Sequence, residues 1–111
     1  MKIKLNRPIC FFDLETTGGN VGKDRIVEIA ILRVDVDKKE SKRVWRVNPE
    51  MEISFQAIEV HGITNEMIEN EPNFAHYSNE IYQFLKGCDL AGFNSIRFDL
   101  PILVEELIRA V

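Results

Sequence analysis

The stretch Cys10-Phe11-Phe12-Asp13-Leu14-Glu15-Thr16-Thr17-Gly18-Gly19 constrains this chain more than any other. A short apolar run closes on two carboxylates at i and i+2, then on two threonines and a glycine pair. In an extended strand successive side chains alternate faces, so Asp13 and Glu15 share one face while Phe12 and Leu14 enter a core. Two like charges on one face of an otherwise apolar strand repel each other and resist desolvation. A divalent cation removes that conflict, and hard oxygen ligands at strand spacing suit Mg²⁺ or Mn²⁺. The same residues also fit a strand that runs out into solvent, where acidic side chains are ordinary. These ten residues leave both readings open.

The rest of the chain supplies elements in a definite order. Ile9 to Leu14 is expected as the first strand and, being apolar on both faces, as a central one. A turn-rich loop through Gly18-Gly19-Asn20 and Gly22-Lys23-Asp24 leads to a β-branched run from Ile26 to Val36, the second strand. A charged turn, Asp37 to Glu40, precedes a third strand from Ser41 to Val47. There Lys42, Arg43 and Arg46 suit an exposed edge protected by charge. Short links between these strands make an antiparallel meander. The period then changes. Ser54 to Glu59 reads as a short helical turn, and Asn65 to Asn70 as a short helix capped by Thr64 and stopped by Pro72. Phe74, Tyr77, Ile81, Phe84 and Leu85 recur at helical spacing as far as Gly87. Asp89 to Phe93 reads as a short buried strand. A last helix begins near Asp99-Leu100-Pro101, with Ile102, Leu103, Leu107 and Ile108 as its apolar stripe. Strands followed by a helix–strand–helix unit indicate an α/β fold with a mixed sheet.

Composition narrows the function classes. The 111 residues make one domain at most, and 45% hydrophobic with 29% charged residues is ordinary for a soluble protein. A net charge of −4 gives no general basic footprint for nucleic acid, so cations would have to offset an acidic site if nucleic acid is the partner. No run approaches the length of a membrane span, Met1 to Pro8 lacks the apolar core of a signal peptide, and no membrane partner is expected. Cys10 and Cys88 sit in apolar stretches without zinc-ligand spacing, which makes a reduced, cytoplasmic setting the default. The apolar end at Ala110-Val111, on a strongly periodic helix without a cap, leads us to expect that something follows it.

Asn94-Ser95-Ile96-Arg97-Phe98-Asp99-Leu100-Pro101 is the second informative stretch. Asp99 reads as an N-cap with Pro101 in the first turn. A carboxylate there is stabilised by the helix dipole and equally suits an ionised metal ligand. Lys23 and Arg25 in the loop, and Arg97 beside Asp99, read either as contacts to a substrate backbone or as ordinary solvated charges. His76 reads as a solvent-facing helix residue.

Phe12-Asp13-Leu14-Glu15-Thr16-Thr17-Gly18 resembles the first motif of the DEDD-type 3′→5′ exonucleases. Ala91-Gly92-Phe93-Asn94 followed by Phe98-Asp99 resembles their second motif. Val60-His61-Gly62-Ile63-Thr64 is similar to a segment of the proofreading epsilon subunits of bacterial DNA polymerase III. Three motifs in this order are specific where each alone is weak. The resemblance implies a ribonuclease H-like mixed sheet, the three-strand meander plus a parallel strand, with flanking helices. It implies a phosphodiester hydrolase using two Mg²⁺ or Mn²⁺ ions for in-line attack on the terminal phosphodiester. Asp13, Glu15 and Asp99 would be both the catalytic residues and the metal ligands. Leu14 and Thr16 would meet the 3′-terminal nucleotide through their backbone, with Thr17 nearby. His61 and Ile63 would line the nucleotide pocket, while Asn94 and Phe98 would support Asp99 and the neighbouring strand. The implied partner is a single-stranded or frayed 3′ end of DNA, with RNA as the alternative, in a proofreading or repair role alongside a DNA polymerase subunit.

The chain also departs from the family. A third motif, which supplies a general-base histidine and a fourth aspartate, has no counterpart, because the only histidines are His61 and His76. Residues 1–111 are therefore expected to be the N-terminal two thirds of such a domain, lacking its C-terminal part and truncated as given. Loss of the base alone costs about 10²–10⁴-fold in rate. Self-association through an open sheet edge is a further expectation. The alternative is a catalytically inactive nucleic-acid- or protein-binding module that keeps the fold. Against it, three convergent carboxylates that repel phosphate would serve a pure binding module poorly.

Overall fold

The computed structural model describes residues 5–92 and 96–110, with the backbone alone at 92 and 96–98. Along the described chain the elements are β1 (Ile9–Thr16), β2 (Ile26–Val34), β3 (Glu40–Arg46), α1 (Phe55–His61), α2 (Asn65–Ile68), α3 (Phe74–Leu85), β4 (Asp89–Gly92) and α4 (Ile96–Arg109). The sheet order is β3-β2-β1-β4, antiparallel through the meander and parallel where β4 joins β1. It is the mixed sheet with flanking helices expected from the order of periodicities, with β1 inside and β3 at an edge.

β1 alternates strictly. Cys10, Phe12, Leu14 and Thr16 are buried, whereas Ile9, Phe11, Asp13 and Glu15 are half-buried. The buried row joins Ile29 and Ile31 of β2 and Trp45 of β3 on one face of the sheet. Against it lie Phe74, Ile81 and Leu85 of α3 and Ile102 and Leu103 of α4. The carboxylates of β1 therefore stand on the face opposite this core, as the i, i+2 spacing requires.

A bulge ends the β1–β2 ladder. Glu15 pairs with Glu28 but Thr16 pairs with Ile26, which leaves Val27 as the extra residue. Ile26 joins the main core, while Val27 turns into a second buried cluster with Ile53, Ile63 and Ile68. Helix α1 is capped by the Ser54 hydroxyl, which accepts from the Ala57 N–H, and ends at Gly62, whose φ of +76° a side chain would strain.

Two boundaries and one helix face differ from the sequence reading in ways that bear on the site. β2 stops at Val34 rather than Val36, because Asp35 to Lys39 close a turn in which Lys38 takes a φ of +74°; Val36 is left exposed. α4 begins at Ile96, so Asp99 lies inside its first turn and is not the N-cap. The buried face of α4 is Asp99, Ile102, Leu103 and Glu106, while Ile108, expected in the apolar stripe, is 63% exposed. No helix among the described residues is long and apolar enough to cross a membrane.

Candidate active site

Among the described residues β4 pairs with β1 from Ile9 to Phe12, while β1 runs on to Thr16. Farther along β1, the Asp99 carboxylate of α4 lies against the backbone N–H of Leu14. Asp99 is 4% exposed, and its Oδ2 has no hydrogen-bond partner among the described residues. Burial, then the charge of Asp13, push its carboxyl above the usual range, and the Leu14 N–H opposes them. The Glu15 carboxyl is also raised, first by burial, then by Asp13, with Glu28 and Asp99 adding to the effect and His61 opposing it. Asp13, Glu15 and Asp99 thus lie within one another's fields. As they stand, no three acidic, histidine or cysteine side chains among the described residues are gathered closely enough to hold a metal ion.

The loop after β1 is tied by one buried hydroxyl. Thr17 Oγ1 donates to Asp24 Oδ1 at 2.8 Å and accepts from the Arg25 N–H at 3.1 Å. Its backbone N–H and C=O are used by Arg25 and Ser54. Asp24 Oδ2 in turn accepts from the Asn20 N–H at 2.7 Å. Gly18 lies against this carboxylate so closely that a Cβ there would stand 2.7 Å from Asp24 Oδ2. The Thr-Thr-Gly signature is therefore legible as packing: a hydroxyl and a missing side chain shape the turn beyond the carboxylates. Thr16, whose hydroxyl donates to the Gly18 carbonyl at 2.8 Å, completes it.

His61 closes the other side. Its Nδ1 accepts from the Ile63 N–H at 3.0 Å, which places the proton on Nε2, and Nε2 donates to the Thr16 carbonyl at 3.0 Å. The ring thereby ties the end of α1 to the end of β1. Thr17 and Ile63 are buried, Ile63 within the second cluster, so their side chains offer no surface to a ligand. Leu14 likewise faces the core, and its N–H meets Asp99. Asn94 and the side chain of Phe98, with that of Arg97, lie outside the described residues.

Two carboxylates were missed in the sequence. Glu28 pairs directly with Glu15 across the ladder and is held by Arg46 at 2.9 Å. Glu106, 1% exposed, accepts from Arg25 and Arg109 and from the Ile26 N–H. The signal for Glu106 was present, since it falls at i+7 from Asp99 on the same face as Ile102 and Leu103.

A meander with one parallel strand, with carboxylates on the central strand and on the facing helix, defines a ribonuclease H-like nuclease architecture. The comparisons with known proteins agree. The RNase_T family model, described as Exonuclease, matches residues 10–111. The 3′-5′ exonuclease DinG of Bacillus subtilis is 33% identical over 99 residues, covering 88% of this chain and 10% of that protein. The DNA polymerase III subunit epsilon of Treponema pallidum is 31% identical over 96 residues, covering 86% and 44% respectively. In fold, E. coli exonuclease I in complex with a dT13 oligonucleotide superposes with a TM-score of 0.81 at 23% identity, over 93% of this chain and 24% of that one. The apo form of exonuclease I gives 0.83 at 22% identity, over 96% and 25%. The chain spans less than half the length of these relatives. It belongs to the DEDD-type 3′→5′ exonuclease family.

Proposed function

We propose that the chain carries the carboxylate-lined 3′-end site of a metal-dependent 3′→5′ exonuclease acting on DNA. One observation carries this reading: a buried Asp99 oxygen has no hydrogen-bond partner among the described residues, and it lies within the field of Asp13, where the Asp99 and Glu15 carboxyls are held above their ordinary range. An acidic cluster that is costly to ionise in the free protein fits a divalent cation. Asp13, Glu15 and Asp99 would hold Mg²⁺ or Mn²⁺. When bound, two such ions neutralise charge on the scissile phosphate and orient an in-line displacement.

The chain's own residues prepare the site. The Leu14 N–H faces the Asp99 carboxylate, and the Thr16–Gly18 turn with His61 frames the place for a terminal nucleotide. Proton removal from water does not fall to His61, both of whose nitrogens are engaged, nor to His76, which is exposed on α3 against Tyr77. The relatives support the substrate class, since one is a 3′-5′ exonuclease, another a polymerase III epsilon subunit, and a fold neighbour holds a dT13 strand. A frayed or single-stranded 3′ end, a polymerase subunit as partner and a cytoplasmic setting follow from the same reading. Two free cysteines fit that setting.

A second reading, a nucleic-acid-binding module without chemistry, is favoured by the absence of a preformed three-ligand cluster among the described residues. Release of nucleotides from 3′-labelled single-stranded DNA in Mn²⁺, compared with Asp13→Ala, separates the two. Degradation by the parent alone supports the exonuclease. Strand binding without degradation by either protein supports the module. Equal degradation by both overturns the site assignment.

A further inference from the structure

Among the described residues Glu106 is the most deeply buried charged side chain outside the candidate site, and nothing in the proposed chemistry uses it. Its Oε1 accepts from Arg25 Nε at 3.0 Å, lies 3.0 Å from Arg25 Nη2, and accepts from Arg109 Nη1 at 3.1 Å. Its Oε2 accepts from the Ile26 backbone N–H at 3.2 Å. Three of these four contacts cross from α4 to the start of β2, next to the bulge.

Buried ion pairs of this kind are weak sources of net stability, because desolvation offsets their attraction. What they do supply is a fixed register. On α4, Asp99 and Glu106 are seven residues apart, two turns along one face and about 10 Å along the axis. Glu106 accepts the Ile26 N–H of β2 at 3.2 Å, and the Asp99 carboxylate lies against the Leu14 N–H of β1. Between them Ile102 and Leu103, each 1% exposed, pack into the apolar core. Such contacts are non-directional and leave a helix free to slide or roll by fractions of an ångström. A buried carboxylate hydrogen-bonded to Arg25 and to the Ile26 N–H restricts both freedoms, and with them the place of Asp99 against β1.

We propose that Glu106 is a positioning residue for Asp99: anchored on Arg25 and the Ile26 N–H, it sets the roll and height of α4 and so the place of the Asp99 carboxylate beside β1. Arg25 also belongs to the segment that closes on Thr17, so the same anchor couples the turn beyond Glu15 to α4. The inference rests on the reading of Asp99 as a metal ligand for its consequence, but its geometry is testable without metal.

The test compares the parent protein, Glu106→Gln and Leu103→Val, the last a structural control that weakens the same helix contact without touching either anchor. Two readouts are taken. One is hydrogen exchange and chemical shift of the Leu14 amide in metal-free protein, and the other is Mn²⁺ affinity by titration calorimetry. Glu106→Gln is expected to speed exchange at Leu14, to move its resonance and to weaken Mn²⁺ binding about tenfold, as loss of outer-sphere partners does. Leu103→Val is expected to lower the melting temperature while leaving both readouts in place. An unchanged Leu14 amide and Mn²⁺ affinity in a folded Glu106→Gln protein overturns the proposal, as does an equal effect from Leu103→Val. Should the parent bind no Mn²⁺, the metal reading of Asp99 fails and the Leu14 amide still decides the positioning role. If Glu106→Gln does not fold, Arg25→Lys, which keeps the charge and loses the guanidinium fork, is read in the same two ways.

Discussion

Glu28 stands directly opposite Glu15 across the β1–β2 ladder, and Arg46, opposite Glu28 on β3, pairs with it at 2.9 Å. Like charges facing each other across strands are unfavourable, and among the described residues only the outer one has an arginine. Glu15 is left with burial, Asp13 and Glu28 all raising its carboxyl. Glu28→Gln should therefore lower the midpoint of the Glu15 titration, followed by carboxyl carbon NMR. A midpoint that stays where it was would show that Glu28 exerts no field on the site.

Raised carboxyls also give stability a defined pH dependence. Glu15 and Asp99 bind protons more tightly in the folded chain than in the unfolded one. The folded state then holds more protons, so the contribution of these two groups is fully present below the ordinary carboxylate range. It is lost as pH rises through their raised values. The metal-free protein should lose part of its melting temperature over that window, and Asp99→Asn should flatten the loss. Saturating Mn²⁺, which binds the ionised form, should oppose it. A melting temperature that rises through the same window in the parent and is untouched in Asp99→Asn would contradict this account.

Gly18 and Gly19 make a controlled pair. A Cβ at Gly18 meets the Asp24 carboxylate, which Thr17 and Asn20 hold in place, whereas a Cβ at Gly19 meets nothing within 4 Å. Gly18→Ala should cost about 2 kcal/mol, in the range of forced overpacking. Gly19→Ala should change stability by less than about 1 kcal/mol. Urea denaturation of the two variants reads the difference directly, and equal effects would remove the steric explanation for the glycine.

His61→Phe keeps the ring volume and deletes both hydrogen bonds, leaving the Ile63 N–H and the Thr16 carbonyl without their partner. The expected loss is about 1–3 kcal/mol, the penalty for unpaired polar groups. An unaltered denaturation midpoint would mean that the ring does not tie α1 to β1.

Much of this was legible in the sequence because its signals are local. Alternation of Phe12 and Leu14 with Asp13 and Glu15 placed β1 and aimed its acids, and apolarity on both faces placed it inside the sheet. Lys42, Arg43 and Arg46 marked the edge, and Thr64 stood before its helix as expected. What was not legible depends on contacts between distant segments. In Ile26-Val27-Glu28-Ile29 the sequence offers no sign of which residue the bulge will expel; the second cluster decides it. The start of α4 was set too late because Asp99 looks like a cap, when its carboxylate instead meets Leu14 on another strand. Glu106 was passed over because a glutamate near the end of a helix usually faces water, and only Arg25 and Ile26, eighty residues away in sequence, show otherwise.

The proposed function requires Asp13, Glu15 and Asp99 to form one divalent-cation site. Its most direct test is a Mn²⁺ titration of the parent and of Asp99→Asn, followed by electron paramagnetic resonance of the free ion. The account predicts saturable binding by the parent at neutral pH and a loss of about tenfold or more in affinity in the variant. Identical curves for the two proteins, or no binding by the parent, would contradict it.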